Sequence, residues 1–242
     1  MRGLVIVPTY NEAENIESLI DRVFTQGLGL DLLVVDDNSP DQTAQRVHTL
    51  IEKRYSNSLY ILSRRQKDGI GSAYIAGLRW ALPRSYSFMI GIDADLSHDP
   101  DHLPTFVKAL RSYDLVIGSR YVQDGHVVES TPFRKILSRG GNLYAQLMLR
   151  VPISDLTGGF NGYRRSLIEA VDINKIESHS YAFQVELKYR ALKQQCRIIE
   201  LPISFYDRKA GRSKMSKSVF FETLKDVTLL PWRSKKQLKS HT

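Results

Sequence analysis

The amino-acid sequence predicts a single α/β domain built on a doubly wound, mostly parallel, Rossmann-like sheet. Five short runs rich in Val, Ile and Leu recur along the first half of the chain, and stretches with apolar residues at helical spacing lie between them. Buried parallel strands have such continuous apolar runs, and strands that alternate with helices form doubly wound sheets. The 242 residues are enough for one such core.

The first five strands are each predicted from one apolar run. They cover residues 4–7, 32–35, 59–62, 88–92 and 115–118. The first helix is predicted from Glu12 to Phe24, because Ile16, Leu19, Ile20 and Val23 repeat at helical spacing behind a capping pair of Asn11 and Glu14. The first half of the chain therefore alternates strand and helix.

The second half has a different rhythm. It is predicted to contain a helix at 133–150, a turn-rich DLTGGFNGYRR stretch, a helix at 181–194 and a strand at 196–205, followed by an exposed DRKAGRSKMSK loop and a last helix. This half is not a continuation of the strand–helix repeat.

Composition limits the class of protein. The formal net charge of +8 favours anionic partners such as phosphates, nucleic acids or acidic lipid surfaces. The single cysteine, Cys196, cannot form an internal disulfide and no secretory signal pattern opens the chain, so we expect a reducing cytoplasm. No apolar run approaches the roughly 20 residues that a membrane-spanning helix needs, so any membrane association is expected to be peripheral.

Ligands of doubly wound sheets bind beyond the carboxyl ends of the strands, so the residues after each apolar run are the first candidates for a site. The first run leads into VPTYNE, where Pro8, Tyr10 and Glu12 could contact a nucleotide base. A proline-marked turn before a helix would explain the same residues without a ligand. The position at a strand end favours binding.

Adjacent carboxylates follow the second run, in VVDDNSPD. Asp41 is sufficient to cap the next helix, which begins near Thr43. Asp37 is therefore predicted to accept hydrogen bonds from a base or a ribose.

Two carboxylates separated by one residue follow the fourth run, in IGIDADLSHDP. Asp93 and Asp95 can turn toward one hard cation, and Mg²⁺ or Mn²⁺ prefers such oxygen ligands. Paired carboxylates on a loop are often only solvated, but their place directly after a buried strand favours a metal site. His98 is interpreted as a loop hydrogen-bonding residue and not as a ligand.

Two other phosphate-binding patterns are absent. Gly69 and Gly71 precede a helix, but Tyr74 stands where the dinucleotide fingerprint requires a small residue, and no P-loop pattern occurs. Hydride transfer and P-loop phosphoryl transfer are thereby disfavoured.

Basic residues occur at strand ends and in the late loop. Arg120 follows the fifth strand and Arg134 opens the next helix, whereas Arg208, Arg212 and Lys214 lie in DRKAGRSKMSK. Guanidinium groups at strand ends suit the capture of phosphate, although many surface arginines only solvate a fold.

Taken together, these motifs resemble the polyprenol-phosphate mannosyltransferases, the dolichol-phosphate mannose synthase group of inverting family 2 glycosyltransferases with the GT-A fold. The segments VPTYNE, VVDDNSPD, DADLSHDP, IGSRY, DLTGGF, AFQVELKYRA and DRKAGRSKMS occur in that family's order and span nearly the whole chain.

The resemblance implies a role for each matched residue. It implies that the nucleotide sugar is bound by Pro8, Tyr10, Glu12, Val35, Asp37, Asp93, Ala94, Asp95, Arg208 and Lys214. Asp93 and Asp95 would hold Mg²⁺ or Mn²⁺, and Arg120 and Arg134 would bind the acceptor phosphate, so that Asp95, Arg120 and Arg134 are the expected catalytic residues. The second pKa of a phosphate monoester is about 6, so the acceptor phosphate is already anionic near neutral pH and can attack the sugar without a strong base. A single displacement would invert the configuration at the anomeric carbon.

The sequence departs from the family's pattern at two positions, and three alternative functions are weighed, one of them a nucleotide-binding subunit without catalytic activity. Ser97 stands where some relatives carry a metal-binding Gln, and Asn161 stands where relatives often carry a basic residue. A polyprenyl-phosphate glucosyltransferase that uses UDP-glucose fits the same motifs. A nucleic-acid-binding module is disfavoured, because acidic pairs at strand ends repel a phosphate backbone.

The C-terminal region is predicted to differ from the catalytic domain, which we assign to residues 1–215. Within 216–242, Val219 to Leu230 has one apolar face that either packs on the core or inserts partly into a bilayer. Beyond Pro231, Trp232 and clustered Lys and Arg residues suit an anionic membrane surface on the cytoplasmic side. A membrane-spanning partner protein could add to this attachment.

Overall fold

The computed structural model describes residues 1–128, 132–178, 180–206 and 217–239, with backbone alone at 132–134, 217–221 and 234–239. The strands in these residues are β1 (Gly3–Thr9), β2 (Asp31–Asp36), β3 (Leu59–Ser63), β4 (Phe88–Gly91), β5 (Leu115–Ser119), β6 (His126–Val128), β7 (Asn161–Arg164), β8 (Ile198–Pro202) and β9 (Ser204–Tyr206). The helices are α1 (Ile16–Thr25), α2 (Thr43–Lys53), α3 (Ile70–Ala81), α4 (Leu103–Ala109), α5 (Pro132–Leu149), α6 (Arg165–Val171), α7 (Ala182–Lys193) and α8 (Lys217–Lys239), with 3-10 turns at Pro100–His102 and Ile173–Lys175.

The main sheet has seven strands in the order β3-β2-β1-β4-β7-β5-β8, and β6 pairs with β9 in a second, small sheet. Strand β7 runs antiparallel to both of its neighbours, whereas the other pairs of the main sheet are parallel. The predicted fold class, α/β with a mostly parallel, doubly wound sheet, is confirmed.

Helices cover both faces of this sheet. Along β1, Leu4 and Ile6 pack into the core that contains α3 and α7, whereas Val5 and Val7 pack into the core that contains α1 and α4. Alternation of side chains along a strand produces this division. Helix α3 crosses β1 closely at Gly77, where an added Cβ would lie 2.6 Å from Ile6 Cγ2.

Strand β7 is not predicted by the sequence. Its residues, NGYR, contain no apolar run, and the sequence predicts a turn there. It is nevertheless buried between β4 and β5, where Asn161 pairs with both Gly91 and Ile117. The predicted final strand, 196–205, is also divided, because β8 ends at Pro202 and β9 joins the small sheet.

The predicted start of the first helix is wrong. Asn11 has a positive φ of 56°, and the helix begins only at Ile16. The backbone carbonyl of Glu12 accepts hydrogen bonds from the amides of Asn15 (3.0 Å) and Ile16 (2.9 Å), so a turn at 12–15 replaces the expected pair of Asn11 and Glu14.

The last helix packs on the core. Val227 and Leu230 are buried in α8, and the Thr228 hydroxyl lies 2.6 Å from the Tyr144 hydroxyl of α5. The helix continues through Pro231, beyond which Arg233 pairs with Asp226 (3.1 Å) and Glu177 (3.3 Å). None of the described helices has the length and apolarity that crossing a bilayer requires.

Candidate active site

The carboxyl ends of β1, β2 and β4 open into a cavity of about 520 Å³. Its lining includes seven of the residues predicted to bind the nucleotide sugar, namely Pro8, Tyr10, Glu12, Asp37, Asp93, Ala94 and Asp95. The turn before β7 reaches the same edge, because the first residue of β7 pairs with the last residue of β4. The topology thus brings residues from both halves of the chain together.

The adjacent carboxylates after β2 have different surroundings. Asp36 is held inside the fold, where it accepts hydrogen bonds from the hydroxyls of Thr9 (2.9 Å) and Ser39 (2.6 Å). Asp37 lines the cavity, and its Oδ1 lies 2.6 Å from Nη1 of Arg64. Burial raises the pKa of Asp37, although Arg64 acts in the opposite direction. Asp37 is therefore the one of these two carboxylates that lines the cavity.

The turn after β1 presents an aromatic ring and a buried carboxylate. Lys67 Nζ lies 4.3 Å from the centroid of the Tyr10 ring, in a cation–π contact. Glu12 Oε2 accepts a hydrogen bond from Asn15 Nδ2 at 2.9 Å. Lys67 also lines the cavity, but the sequence does not predict this, because Lys67 does not directly follow a predicted strand.

The two carboxylates after β4 both line the cavity. Asp93 Oδ1 accepts from the Tyr74 hydroxyl (3.3 Å), and Asp95 Oδ1 accepts from the Ser97 amide (3.0 Å). The Asp93 amide donates to His98 Nδ1 at 3.3 Å, and burial lowers the pKa of His98, so this imidazole is neutral and bound within the fold.

The donor set fits a hard divalent cation. Two carboxylates face a cavity large enough for the phosphates and waters that Mg²⁺ and Mn²⁺ keep in their coordination shells. Among the described residues, no group of three or more His, Cys, Asp or Glu side chains has metal-binding geometry, so Asp93 and Asp95 would leave several positions to substrate and water.

A second, smaller cavity of about 90 Å³ adjoins the first. Asp93, Ile70, Ser180 and Tyr181 line both cavities, and the smaller one is completed by Tyr74, His98, Arg120, Thr157, Gly158, Gly159, Phe183, Gln184 and Phe205. Asp93 therefore stands where the two cavities meet.

Arg120 enters the small cavity as one partner of a buried ion pair. Its Nε donates to Asp155 Oδ2 (2.7 Å), its Nη2 donates to Asp155 Oδ1 (2.8 Å), and Nη2 also donates to the Thr157 hydroxyl (2.9 Å). Burial alone would raise the pKa of Asp155, but Arg120 and then Lys188 lower it to about 2. The pair is charged, and Arg120 is fixed in position.

The turn that carries Asp155 is held by distant side chains. Lys188 is fully buried, and its Nζ donates to the carbonyls of Asp155 (2.9 Å), Leu156 (3.1 Å) and Gly158 (2.9 Å). Burial lowers the pKa of Lys188 to about 8. The Glu200 carboxylate accepts from the amides of Ser154 (2.7 Å) and Asp155 (2.9 Å). The turn is thus bound on several sides.

Comparison with known proteins identifies the family. The model of "Glycosyl transferase family 2" matches residues 4–172. The chain belongs to glycosyl transferase family 2. It is 42% identical over 228 residues to the undecaprenyl-phosphate mannosyltransferase of Micrococcus luteus, covering 94% of this chain and 93% of the relative. It is 40% identical over 225 residues to the polyprenol monophosphomannose synthase of Mycolicibacterium smegmatis, covering 92% and 84%.

Solved structures show the same fold for this glycosyltransferase. A mannosyltransferase from Pyrobaculum calidifontis, determined with GDP-Man and Mn²⁺, matches with a TM-score of 0.60 and 21% identity, covering 96% of this chain and 71% of that one. The fold is the GT-A fold, as the sequence predicted.

Of the other predicted site residues of the glycosyltransferase, one lies away from both cavities and three fall outside what the structure describes. Val35 is fully buried in the core of the sheet and does not line either cavity. Arg134 belongs to α5 by its backbone, but its side chain lies outside the described part. Arg208 and Lys214 also lie outside the described residues.

Proposed function

We propose that this glycosyltransferase transfers mannose from GDP-mannose to the phosphate of a polyprenyl lipid, with inversion at the anomeric carbon. The observation that carries the proposal is the similarity at 40% identity or more, over more than nine-tenths of the chain, to two proteins named for polyprenyl-phosphate mannose synthesis. The two joined cavities support it, because a donor and an acceptor must meet at one point.

The large cavity suits the nucleotide diphosphate. Tyr10 offers a ring face to a base, Asp37 accepts hydrogen bonds, and Lys67 brings a positive charge to the same wall. Asp93 and Asp95 would hold Mg²⁺ or Mn²⁺, which would stabilise the negative charge that develops on the leaving diphosphate.

Arg120 suits the attacking phosphate. Asp155 and Thr157 occupy its Nε and Nη2, so that, as far as the described residues show, Nη1 remains to donate to a phosphate oxygen. A guanidinium that is already fixed loses little entropy on binding, and positioning of this kind supplies a large part of the rate in a bimolecular transfer. The acceptor is already anionic, so no general base is needed from the chain.

The experiment is a donor panel with purified protein and a short polyprenyl phosphate. We expect transfer from GDP-mannose that stops with EDTA and returns with Mg²⁺ or Mn²⁺, and a product with a β-linked sugar. Transfer from UDP-glucose in place of GDP-mannose would favour the glucosyltransferase alternative. Absence of transfer from both donors would contradict the proposal.

We also propose that α5 and α8 form a peripheral, membrane-facing surface. Apart from Met1, the exposed large apolar side chains among the described residues lie on these two helices: Ile136, Leu137, Leu143, Leu147, Met148 and Trp232. Helix α5 contains no acidic residue, and Lys135, Arg139 and Arg150 are exposed within it or directly after it. An apolar stripe flanked by cations is typical of helices that lie on anionic bilayers.

This surface suggests a different interaction for membrane attachment from the one that the sequence predicts. The tail after Pro231 was predicted to bind through its cations, but Arg233 is paired with Asp226 and Glu177. Apolar contact through α5 would therefore carry more of the binding than the tail charges alone. Tyr121, which follows Arg120, has its hydroxyl 2.7 Å from the Ser138 hydroxyl of α5, so a lipid phosphate held at Arg120 would remain close to this surface. The proposal also places this surface at the cytoplasmic face of the membrane, where a membrane-spanning partner protein would add to the attachment.

A further inference from the structure

The small cavity contains polar side-chain atoms that the fold does not satisfy. Gln184 and Ser180 line it and are only 4% and 7% exposed. Within the described residues, Gln184 Nε2 and Ser180 Oγ have no hydrogen-bond partner. A buried polar group without a partner costs about 1–3 kcal/mol, so two of them on one cavity wall indicate a ligand that completes their bonding.

The orientation of Gln184 is fixed by its neighbours. Its Oε1 accepts hydrogen bonds from Asn161 Nδ2 (3.0 Å) and from the Tyr163 hydroxyl (2.9 Å). Asn161 Nδ2 is itself held by the Gly158 carbonyl at 2.8 Å. Because both donors require an oxygen at this position, Nε2 is the atom that remains for a ligand. It is a donor, so the ligand must present an acceptor oxygen.

The charges around the cavity favour a neutral ligand group at these two residues. Asp93 brings a carboxylate, and the charge of Arg120 is balanced by Asp155. Gln184 and Ser180 are themselves uncharged. Sugar hydroxyls can accept from Gln184 and donate to nearby carboxylate or carbonyl oxygens, whereas a phosphate cannot donate without a proton.

The size of the cavity agrees with part of a sugar ring. Its 90 Å³ corresponds to the space of roughly three waters, too little for a nucleotide, for which the adjoining 520 Å³ is available. Asp93 joins the two cavities, so a diphosphate in the larger one would place the sugar attached to it at the entrance of the smaller one.

We propose that Gln184 and Ser180 bind hydroxyl groups of the transferred sugar and thereby determine which sugar the enzyme accepts. The proposal rests on the proposed function, since it takes the large cavity as the nucleotide site. Arg120 borders the same small cavity, so the sugar would be bound where the acceptor phosphate arrives.

The test uses two variants of the full chain with matched controls. Ser180→Ala removes a hydroxyl that has no hydrogen-bond partner in the described part of the chain, so the folding of this variant should be unaffected. Gln184→Glu keeps an oxygen for Asn161 and Tyr163 but replaces the donor Nε2. Ser166→Ala and Gln45→Glu make the same chemical changes at exposed positions of α6 and α2.

Calorimetric binding of GDP and of GDP-mannose, each with Mn²⁺, provides a readout that does not depend on turnover. We expect both site variants to bind GDP within about twofold of the unsubstituted protein but GDP-mannose about five- to tenfold more weakly, as expected for one lost hydrogen bond. The preference in kcat/KM for GDP-mannose over GDP-glucose, its C2 epimer, should fall in the same variants and not in the controls.

The outcomes separate this proposal from the proposed function. Equal weakening of GDP and GDP-mannose, or no change in either, would overturn the assignment of Gln184 and Ser180 even if mannose transfer is observed. If the protein uses UDP-glucose instead, the proposed donor is wrong. In that case the binding of UDP and of UDP-glucose by the same variants tests whether Gln184 and Ser180 bind the sugar. Binding of neither nucleotide sugar would overturn both.

Discussion

The proposed nucleotide side and the proposed acceptor side of the site are built in different ways. On the nucleotide side, carboxylates stand directly after β2 and β4, and their position follows from the ends of the strands. On the acceptor side, Arg120 is positioned by Asp155, and the turn of Asp155 is held by Lys188 and Glu200, which lie 33 and 45 positions further along the chain. One side depends on local sequence, and the other depends on a buried network. Substitutions on the nucleotide side should therefore mainly lower activity, whereas substitutions on the acceptor side should mainly lower the free energy of unfolding.

The largest expected effect is on the stability of the acceptor side. Asp155→Asn removes the charge that balances Arg120 in a site with no exposure of the Asp155 side chain. Breaking a buried ion pair from one partner costs about 3–5 kcal/mol in the free energy of unfolding. Urea denaturation followed by circular dichroism measures the change.

A matched control for Asp155→Asn is Glu169→Gln. Glu169 pairs with Arg165 at 2.7 Å, but half of its side chain is exposed, so its loss should cost under about 1 kcal/mol. Similar costs for the two substitutions would show that the buried pair does not support the fold as described.

The next effect should be confined to activity. Asp95→Asn on the nucleotide side keeps the shape of the side chain and an oxygen for the Ser97 amide, so the free energy of unfolding should change little. Loss of a charged metal ligand should lower kcat by on the order of 100-fold or more. We expect a similar loss for Asp93→Asn.

Asp99→Ala is the control for the metal assignment. Asp99 accepts from the Asp101 amide and pairs with Arg22 at 2.5 Å, so it has a structural role and its removal should have a milder effect on turnover. Near-normal turnover of Asp95→Asn at saturating acceptor would contradict the role given to Asp95.

The smallest effect concerns the surface of the acceptor side. Leu143 and Leu147 are 53% and 70% exposed, so replacing both by Ser should leave the fold intact and weaken binding to anionic vesicles by roughly tenfold. Flotation of the double variant, of the unsubstituted protein and of a chain truncated after Pro231, at low and high salt, measures this. If truncation alone abolished binding while the double variant bound normally, the tail and not α5 would be the anchor.

Much of the nucleotide side was predictable from sequence. The ends of the apolar runs located Asp37, Asp93 and Asp95, because a parallel sheet fixes where the residue after a strand must lie. Lys67 was missed because its contact with Tyr10 depends on the path of the segment before α3.

The acceptor side was less predictable. Arg120 was identified by its position after β5, but its partner Asp155 was hidden in a stretch that reads as a turn. The role of Lys188 also could not be read from sequence, because a lysine in a helix is normally exposed and nothing local indicates three carbonyl partners. These contacts depend on where the fold places the turn before β7, which local sequence does not reveal.

The insertion of β7 also has a consequence for folding. Strands β3, β2, β1 and β4 form one continuous parallel unit, whereas β5 and β8 join it only through β7, which is synthesised after β5. Until residues 161–164 arrive, β4 has an unpaired edge of the kind that promotes aggregation in partly folded chains. The turn that carries Asp155 immediately precedes β7, so the strand that closes the sheet also brings this turn to Arg120. Residues 161–164 therefore both close the sheet and fix the end of the turn that holds Arg120, so a chain without this strand in place would have the nucleotide-side carboxylates but not the partner that positions Arg120.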